Sequence, residues 1–288
     1  ELGYPLRKVA SHIDIDPSSI DKSVKTDIPV VGHVKNILRD LIGQVKTIER
    51  TKWLAQLAAW QKENPLSFDR ETSELLPQYV IEQIYEVTKG NAIVCTDVGQ
   101  HQMWSAHFFK YTKPRSFLSS GGLGTMGFGF PAAIGAQAGM RDALVVNIAG
   151  DGSIQMNFQE LVVAVEHDLP VKVVILNNGC LGMVRQWQEM FYKKEYSATR
   201  LGQAGRGKIE KLKARRPDVY LPDFVKLAEA HGAGAIRVEK KREVASALRN
   251  AFKTDGPFVV ECRVRPDENV YPMVPPGASL MEMVHSMA

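Results

Sequence analysis

Two polar motifs, each placed at the end of an apolar run, constrain the fold of this chain most strongly. Gly-Asp-Gly-Ser at 150–153 follows the apolar run 143–149, and Asn-Asn at 177–178 follows the apolar run 171–176. Short apolar runs of this kind predict buried strands, and the apolar residues within 157–167 recur at helical spacing. A strand, a helix and a second, parallel strand form a right-handed crossover unit, which is what we expect here.

Both polar motifs would then lie at the same edge of the sheet. Asp151 and Asn178 come just past the carboxyl ends of their strands, where open α/β sheets bind ligands. A carboxylate, a carboxamide oxygen and nearby backbone carbonyls are the hard oxygen ligands that Mg²⁺ or Ca²⁺ takes alongside phosphate oxygens. Because the neighbouring glycines let the backbone approach a ligand closely, we predict a metal and diphosphate site at this edge.

Helices and strands alternate along the rest of the chain from residue 77 onward. This alternation predicts an α/β fold with a parallel sheet that is flanked by helices on both faces. The expected strands are 92–96, 235–238 and 258–264, and the expected helices are 78–88, 100–109, 131–139, 224–231 and 242–252.

The domain organisation is predicted from the same patterns. Residues 1–40 contain two short strand patterns, and we interpret them as the end of a Rossmann-like central domain whose beginning is absent. Residues 41–76 are expected to be a helical linker, and 77–270 are expected to be the domain that binds the diphosphate and the metal. A basic insert at 202–220 interrupts that domain, and 271–288 form a C-terminal tail.

Composition excludes several classes of protein. The chain is 44% hydrophobic and 24% charged, and it has no apolar run of membrane-spanning length, so we expect no contact with a membrane. Its first residues have neither signal-peptide nor transit-peptide character and suggest a chain entered in mid-domain. Three cysteines without CxxC spacing argue against disulfides and a zinc site, which favours a reducing, cytoplasmic location.

The basic character of the chain is local. The formal net charge is +4, and residues 206–216 alone contribute +5, so the remainder carries −1. Because nucleic-acid binding needs a broad basic face or a reading motif, we predict no nucleic-acid partner. The insert is interpreted as a solvated surface loop, with contact to an anionic partner or a regulatory subunit as the alternative.

A glycine pattern at 122–127 imitates a dinucleotide-binding fingerprint. It has the form GxGxxG, and Asp142 follows its first glycine by twenty residues. However, the glycines follow 116–120, which is not a clear buried strand, and Asp142 precedes a strand instead of ending one. An NAD-dependent oxidoreductase is therefore kept only as an alternative.

Two longer segments, 119–137 and 177–188, together with the motifs above, carry a resemblance to a known family. The chain resembles the thiamine-diphosphate enzymes, and among them the catalytic large subunit of acetolactate synthase (acetohydroxyacid synthase). The resemblance covers nearly the whole chain, but it corresponds only to the C-terminal part of the family.

The resemblance implies a cofactor site in this chain. Mg²⁺ would be bound by Asp151, by the side chain of Asn178 and by the backbone carbonyl of Cys180. A large apolar side chain, Met126, would lie beneath the thiazolium ring and bend the cofactor. The other implied cofactor-binding residues hold the diphosphate or the aminopyrimidine: Gln100, His101, Gly124, Thr125, Gly152, Ser153, Leu181, Gly182 and Met183.

A helix that begins near residue 181 is expected to shape the reaction. Met183 and Trp187 are spaced four residues apart, which places them on one helical face. The resemblance implies that Met183 contacts the pyrimidine and that Trp187 lines the substrate channel. Gln186 lies between them and is included with Met126, Met183 and Trp187 as a catalytic candidate.

The family also binds FAD as a structural cofactor. Its pattern corresponds to Asp14 and Ile15 after a strand and to Gly121 and Gly122 in the glycine-rich loop. His33 stands where the family usually has an acid, and the front of that domain is absent. Both departures argue against FAD binding by this chain alone.

The implied reaction is the decarboxylation of pyruvate and its ligation to a second 2-keto acid, pyruvate or 2-ketobutyrate, in branched-chain amino-acid synthesis. The family's activating glutamate lies in an N-terminal part, and no residue here matches it. We therefore expect this chain to be inactive without a missing half or a second catalytic chain. A homo-oligomer and a regulatory small subunit are further implied partners. The alternatives are a sister decarboxylase, oxidase or carboligase, and a non-catalytic cofactor-binding module.

Overall fold

The computed structural model describes residues 9–201 and 222–285 and divides the chain into two compact units. Within the described residues, the first unit contains 9–65 and 273–284, and the second contains the rest. The predicted basic insert, 202–220, lies outside the described residues.

The first unit is built around a two-stranded parallel sheet. Its strands pair over four residues each, and a short 3₁₀ helix, Pro17–Ser19, lies between them in the chain. His33 caps the next helix, since its Nδ1 accepts a hydrogen bond from the Lys35 amide at 3.2 Å. The elements are β1 Ser11–Asp14, β2 Ile28–Val31, α1 Val34–Ile42 and α2 Thr51–Glu63.

The second unit contains a six-stranded sheet in which every neighbouring pair of strands is parallel. The strands are β3 Ile93–Thr96, β4 Phe117–Ser119, β5 Val145–Gly150, β6 Lys172–Asn177, β7 Gly234–Val238 and β8 Phe258–Arg263. Their order across the sheet is β4-β3-β5-β6-β8-β7. The helices are α3 Pro77–Thr88, α4 Gln100–Phe108, α5 Gly129–Gly139, α6 Asp151–Ile154, α7 Leu161–Glu166, α8 Gly182–Phe191, α9 Phe224–Ala230 and α10 Val244–Lys253.

Two apolar clusters cover the two faces of this sheet. Successive residues of β6 belong alternately to one cluster and the other: Val173 and Ile175 to one, Val174 and Leu176 to the other. This alternation follows from the two-residue period of a strand. Helices α3, α4 and α10 contribute to the cluster that contains Val174 and Leu176, and α5, α7 and α9 contribute to the cluster that contains Val173 and Ile175. The predicted α/β fold, with a parallel sheet flanked by helices on both faces, is confirmed.

Some elements differ in detail from the predictions. The segment 116–120, predicted not to be a clear buried strand, contains β4, a three-residue edge strand that is exposed at its first residue and half-buried at the other two. The helix expected over 157–167 is a 3₁₀ turn, Phe158–Glu160, followed by the six-residue α7. The four-residue helix α6, which begins at Asp151, was not predicted.

All three cysteines are buried and free. Burial raises the pKa of the Cys95 and Cys262 thiols to about 12. Cys95 belongs to β3 and Cys262 to β8, whereas Cys180 follows β6. None of the helices in the part of the chain that the structure describes combines the length and apolar character needed to cross a membrane.

Candidate cofactor site

A cleft lies across the carboxyl ends of β3, β5 and β6. Its walls are the segments that follow these strands, and they include the beginnings of α4, α6 and α8. The cleft is lined by Val98, Gly99, Gln100, His101, Trp104, Met126, Gly150, Asp151, Gly152, Ser153, Leu176, Asn178, Cys180, Leu181, Gly182, Met183 and Val184.

Asp151 is the carboxylate that this cleft buries. It follows β5 directly and is only 1% exposed. Its Oδ1 accepts a hydrogen bond from the Gly152 amide at 3.1 Å, but its buried Oδ2 has no hydrogen-bond partner. Burial raises the pKa of this carboxyl to about 7, against the opposing effect of the Gly179 and Gly152 amides. A cation bound beside Oδ2 would supply the missing partner, so the residues present fit a metal ion.

The turn after β6 brings Asn178 and Cys180 into the lining of the same cleft. The Asn178 Oδ1 accepts a hydrogen bond from the Cys180 amide at 3.0 Å, and the Gly179 amide donates to Asn177 Oδ1 at 3.2 Å. These side chain-to-backbone bonds are typical of Asx turns, and Gly179 supports the turn with a φ of +70°. A carboxylate, a carboxamide and backbone carbonyls form a set of hard oxygen donors.

That donor set is not a conventional side-chain cluster. Among residues 9–201 and 222–285, no group of three or more His, Cys, Asp or Glu side chains is placed to hold a metal ion. A metal in the cleft would therefore depend on amide and carbonyl oxygens as well as on Asp151.

Three glycines leave backbone groups open toward the cleft. A Cβ atom on Gly152 would lie 2.7 Å from Leu181 Cδ2, and one on Gly150 would lie 2.9 Å from His101 Nδ1. A Cβ on Gly182 would overlap the Gln100 side-chain oxygen. Gly182 is also the first residue of α8, whose N-terminus offers amide donors and a positive dipole end to an anion.

His101 is held uncharged beside this cradle. Burial lowers the pKa of its imidazole to about 3. Its Nε2 lies 3.5 Å from the Ser153 Oγ, which also accepts a hydrogen bond from the Gly150 amide at 3.1 Å. A neutral imidazole can donate or accept a hydrogen bond, but it adds no charge to the cleft.

Met126 forms the opposite wall of the cleft. It lies in a glycine-rich turn in which Gly124 and Gly127 have φ values of +70° and +96°. The Met126 side chain is 36% exposed, and its Cε is 3.8 Å from a Cβ placed on Gly152. A partly open apolar side chain therefore faces the glycine cradle.

Helix α8 places its three predicted residues differently. Met183 lines the cleft, whereas Trp187 is 43% exposed and does not. Gln186 is fully buried behind the cleft: its Nε2 donates to the Val270 carbonyl at 2.9 Å, and its Oε1 accepts from the Val270 amide at 2.9 Å. The same Oε1 accepts from Gln100 Nε2 at 2.8 Å, so Gln186 connects α8 with α4 and the segment after β8.

Most of the predicted cofactor-binding residues lie together. Gly124 and Thr125 precede Met126 in the turn but do not line the cleft. Gly121 and Gly122 are exposed, and a Cβ on either would have no neighbour within 4 Å. The residues that the structure brings together are Gln100, His101, Met126, Asp151, Gly152, Ser153, Asn178, Cys180, Leu181, Gly182 and Met183.

Asp14 and Ile15 belong to the first unit, at and just after the end of β1. Asp14 Oδ1 accepts a hydrogen bond from the Asp16 amide at 2.8 Å. Ile15 is exposed. Their assignment to FAD stays a prediction.

Several residues at the cleft were missed by the sequence analysis: Val98, Gly99, Trp104, Leu176 and Val184 line it, and the neighbouring Asp97 supports it. Asp97 follows β3 directly, as Asp151 follows β5. The same signal, a carboxylate just past an apolar strand, would have identified the Asp97–Gly99 segment. The dinucleotide pattern does not have the geometry of a dinucleotide site, because Asp142 precedes β5 and lies at the amino end of the sheet.

A parallel sheet with a glycine-lined cleft across the carboxyl ends of its strands defines an α/β domain that binds phosphate-bearing ligands. Residues 97–262 match the family described as thiamine pyrophosphate enzyme, C-terminal TPP binding domain. The match spans more than half of the chain, and the chain belongs to this family. Thiamine pyrophosphate is the thiamine diphosphate named above.

Curated relatives extend the similarity over nearly the whole chain. The acetolactate synthase large subunit of Haemophilus influenzae is 40% identical over 96% of this chain and 46% of that protein. The probable acetolactate synthase large subunit of Methanocaldococcus jannaschii is 42% identical over 95% of this chain and 45% of its own length. The acetolactate synthase isozyme 3 large subunit of Escherichia coli K12 is 41% identical over 94% and 46%, respectively. The chain thus spans about half the length of these relatives.

Proposed function

We propose that this chain is the cofactor-binding C-terminal part of an acetolactate synthase catalytic subunit. The observation that carries the proposal is the identity of 40–42% to three proteins of that name over at least 94% of this chain. The activity proposed is the decarboxylation of pyruvate and carboligation to pyruvate or 2-ketobutyrate. The products would be 2-acetolactate and 2-aceto-2-hydroxybutyrate, as in branched-chain amino-acid synthesis.

In this proposal, Asp151, Asn178 and the carbonyl of Cys180 hold Mg²⁺. The unpartnered Oδ2 of Asp151 supports it, and so does the short turn that brings the other two residues to the same cleft. Gly152, Ser153, Gln100 and His101 would bind the diphosphate. The neutral state of His101 suits a role as hydrogen-bond donor, while charge neutralisation falls to the metal and to the N-terminus of α8.

Thiamine diphosphate, when bound, supplies the nucleophilic carbon and the electron sink for the reaction. The chain's own contribution would be to orient it. Met126 would press against the thiazolium ring from the wall facing Gly152, and the backbone from Gly124 to Met126, including Thr125, would bind the aminopyrimidine. Leu181, Gly182 and Met183 would enclose the ligand from the start of α8, where the cleft is lined by all three.

Trp187 would act on the substrate and not on the cofactor. It lies one helical turn beyond Met183, outside the lining of the cleft, and almost half of its surface is open. A large exposed aromatic side chain next to a cleft can form the wall of a channel that leads into it. We propose that it influences the choice between pyruvate and 2-ketobutyrate as second substrate, and that buried Gln186 positions α8.

The proposal assigns the acid that activates the aminopyrimidine to an N-terminal half or a second catalytic chain. FAD binding through Asp14, Ile15, Gly121 and Gly122 would also need that half. A homo-oligomer, a regulatory small subunit and a cytoplasmic location are parts of the same proposal.

The test is acetolactate formation from pyruvate in the presence of Mg²⁺, thiamine diphosphate and FAD. The chain is assayed alone and after co-production with the part of the Haemophilus influenzae relative that lies outside the matched region, which covers 46% of that protein. We expect cofactor binding in both preparations and acetolactate only in the mixture. Asp151→Asn serves as the inactive control, and Asp142→Asn, at an exposed position, serves as the matched control.

Three results would contradict the proposal. Acetolactate from the chain alone would mean that the activating acid lies within these residues. Acetaldehyde or hydrogen peroxide as the main product would indicate a sister decarboxylase or oxidase. Cofactor binding without any product in either preparation would indicate a non-catalytic binding module.

A further inference from the structure

The backbone N–H and the backbone C=O of Gly127 are both bound by side chains from distant parts of the second unit. Its N–H donates to Asp97 Oδ1 at 2.8 Å, and its C=O accepts from Asn157 Nδ2 at 2.6 Å. Asp97 follows β3 and is completely buried, while Asn157 immediately precedes the 3₁₀ turn before α7. We call Asp97 and Asn157 the Gly127 clamp.

Only glycine can occupy the centre of this clamp. A Cβ atom at position 127 would lie 2.8 Å from the Asn157 Nδ2 and 2.9 Å from the Met156 Cβ. The φ of +96° is also unfavourable for any residue with a side chain. The next glycine, Gly129, fits so closely that a Cβ on it would overlap the backbone of Asp97. The turn is therefore docked tightly against the end of β3.

The other end of the same turn is fixed separately. The Gly124 amide donates to the Ser120 carbonyl at 3.1 Å, and the Thr125 amide donates to the Ser120 Oγ at 3.1 Å. Met126 is thus the residue between two fixed points, and its side chain lies on the cleft side, facing Gly152. Its height above the glycine cradle depends on the Gly127 clamp on one side and on Ser120 on the other.

The carboxylate of Asp97 is energetically unfavourable for the folded state if it has only a structural role. Asp97 Oδ1 accepts from the amides of Val98 and Gly127, but the buried Oδ2 has no hydrogen-bond partner. Burying a carboxylate oxygen without a partner is unfavourable. Charge-assisted hydrogen bonds are stronger than neutral ones, so a carboxylate holds the Gly127 amide more rigidly than a neutral acceptor would.

We propose that Asp97 and Asn157 are positioning residues that keep Met126 at the height at which it contacts the thiazolium ring of bound thiamine diphosphate. The inference rests on the proposed function, since it assumes that Met126 contacts that ring. It predicts that the Gly127 clamp acts on the thiamine part of the cofactor and has no effect on the diphosphate part.

Two ligands separate these effects. Inorganic diphosphate with Mg²⁺ needs the proposed diphosphate and metal site (Gln100, His101, Asp151, Gly152, Ser153, Asn178 and Cys180) but makes no contact that depends on Met126. Thiamine diphosphate with Mg²⁺ needs both. The ratio of the two dissociation constants therefore reports the position of Met126, whereas general damage to the fold would weaken both ligands together.

The experiment measures both dissociation constants by titration calorimetry on the full chain. The variants are Asp97→Ala, Asn157→Asp and, as the reference for loss of the wedge, Met126→Ala. We expect each to weaken the binding of thiamine diphosphate about tenfold, with diphosphate affinity unchanged, because each removes or displaces the Met126 side chain and so loses part of an apolar contact. Asp97→Asn keeps an oxygen acceptor for the Gly127 amide and should recover most of the affinity for thiamine diphosphate.

Asn157→Asp protects the test against a folding failure of Asp97→Ala, because it changes a half-buried side chain to one of the same size and shape. Equal weakening of both ligands, or no change in either, would overturn the proposal. Thiamine diphosphate that binds wild type no more tightly than diphosphate does would also overturn it, because Met126 would then contribute nothing. A wild-type chain that binds neither ligand would instead refute the proposed function on which the inference rests.

Discussion

Asp151 places ligand binding and folding stability in opposition within one side chain. Its Oδ2 is buried without a partner, and the pKa of the carboxyl is raised from 3.8 to about 7 by burial. A carboxyl whose pKa is raised on folding stabilises the folded state below pH 3.8, and that contribution is lost as the pH rises through about 7. Above that pH, the ligand-free protein contains a buried, ionised group with unsatisfied hydrogen-bonding capacity.

Asp151→Asn is therefore expected to stabilise the ligand-free chain while destroying the site. At pH 8 we expect the free energy of unfolding to rise by about 2 kcal/mol, because the buried charge is removed. Binding of Mg²⁺ with thiamine diphosphate should be lost, because an amide replaces the only charged oxygen donor of the proposed metal site. Urea unfolding at pH 5 and pH 8, with calorimetry at pH 8, measures both. Unchanged cofactor affinity would contradict the assignment.

His101 gives the opposite dependence on pH. Its pKa is lowered by burial from 6.5 to about 3, so its contribution to stability is present above pH 6.5 and lost as the pH falls toward 3. We expect the slope to approach about 1.4 kcal/mol per pH unit below pH 6. The slope of Asp151 has the opposite sign over part of this range, so the measurement belongs in the Asp151→Asn background.

In that background, adding His101→Gln should flatten the acid limb of the unfolding curve between pH 4 and pH 6. His167→Gln, at an exposed histidine, is the matched control and should leave the limb unchanged. An equally steep acid limb after His101→Gln would show that another group is responsible.

At the scale of an element, the start of α8 is more crowded than an ordinary helix terminus. A Cβ on Gly182 would overlap the Gln100 side-chain oxygen and would lie 2.7 Å from the Asn178 Nδ2. Both of these residues line the cleft. Because Gly182 has no side chain, the start of α8 can approach Gln100 and Asn178 closely, and the position of α8 is therefore coupled to the cofactor site.

Two glycine-to-alanine substitutions should have opposite effects. Gly135, in α5, has no atom within 4 Å of a Cβ, so Gly135→Ala should raise the free energy of unfolding by about 0.5–1 kcal/mol through helix propensity. Gly182→Ala gains the same propensity, but it must displace Gln100, so we expect lower stability and weaker cofactor binding. Chemical denaturation and calorimetry of both variants provide the measurement. Equal stabilisation by Gly135→Ala and Gly182→Ala would mean that Gln100 and Asn178 can move away from residue 182 at little energetic cost.

The elements differ in how well they could be predicted from sequence. The long, fully buried strands β5 and β6 can be recognised in the sequence as apolar runs, and the polar residues that follow them predict the position of the cleft. Strand β4 has three residues at an edge and carries no such run. The helix expected from residue 157 starts late because Asn157 has a non-helical φ of −140° and bonds to Gly127. The hydrogen bond between Asn157 and Gly127 joins residues that are thirty positions apart, and the local periodicity of the sequence carries no information about such a contact.

Similar limits apply to the side chains of α8. Spacing placed Met183 and Trp187 on one face, yet only Met183 lines the cleft. Trp187 lies one helical turn beyond Met183, and this distance is enough to place it outside the cleft. Other elements determine where the cleft ends, so the spacing within α8 could not predict this. The inward direction of Gln186 follows from its bonds to Val270, which is 84 residues away.

At the scale of the molecule, the alternation of strands and helices was sufficient to predict a parallel sheet covered on both faces, because each helix that connects two parallel strands packs on one face of the sheet. The domain boundaries stay predictions. A division of a chain into domains depends on contacts between distant segments, such as the inclusion of 273–284 with residues near the N-terminus.

Cofactor binding should stabilise the second unit selectively. At a ligand concentration about 100 times the dissociation constant, the free energy of unfolding should rise by about 2.7 kcal/mol through mass action. Hydrogen exchange followed by mass spectrometry should show slower exchange in the segments 97–104, 123–130, 150–154 and 178–184. Segments within 9–65 should exchange at an unchanged rate. Protection confined to the first unit would mean that the ligand binds elsewhere.

The rates at which the three buried thiols react with an alkylating reagent report how the second unit opens. Cys95 and Cys262 lie within central strands, where the sheet must come apart before an alkylating reagent can reach them, whereas Cys180 lies in a turn at the edge of the cleft. Cys180 should therefore react first, through a small local excursion, and the other two should react together, at the rate of whole-domain unfolding. The lag between the first label and the second measures how far the cleft can open while the sheet stays intact, and a bound ligand should lengthen the first step.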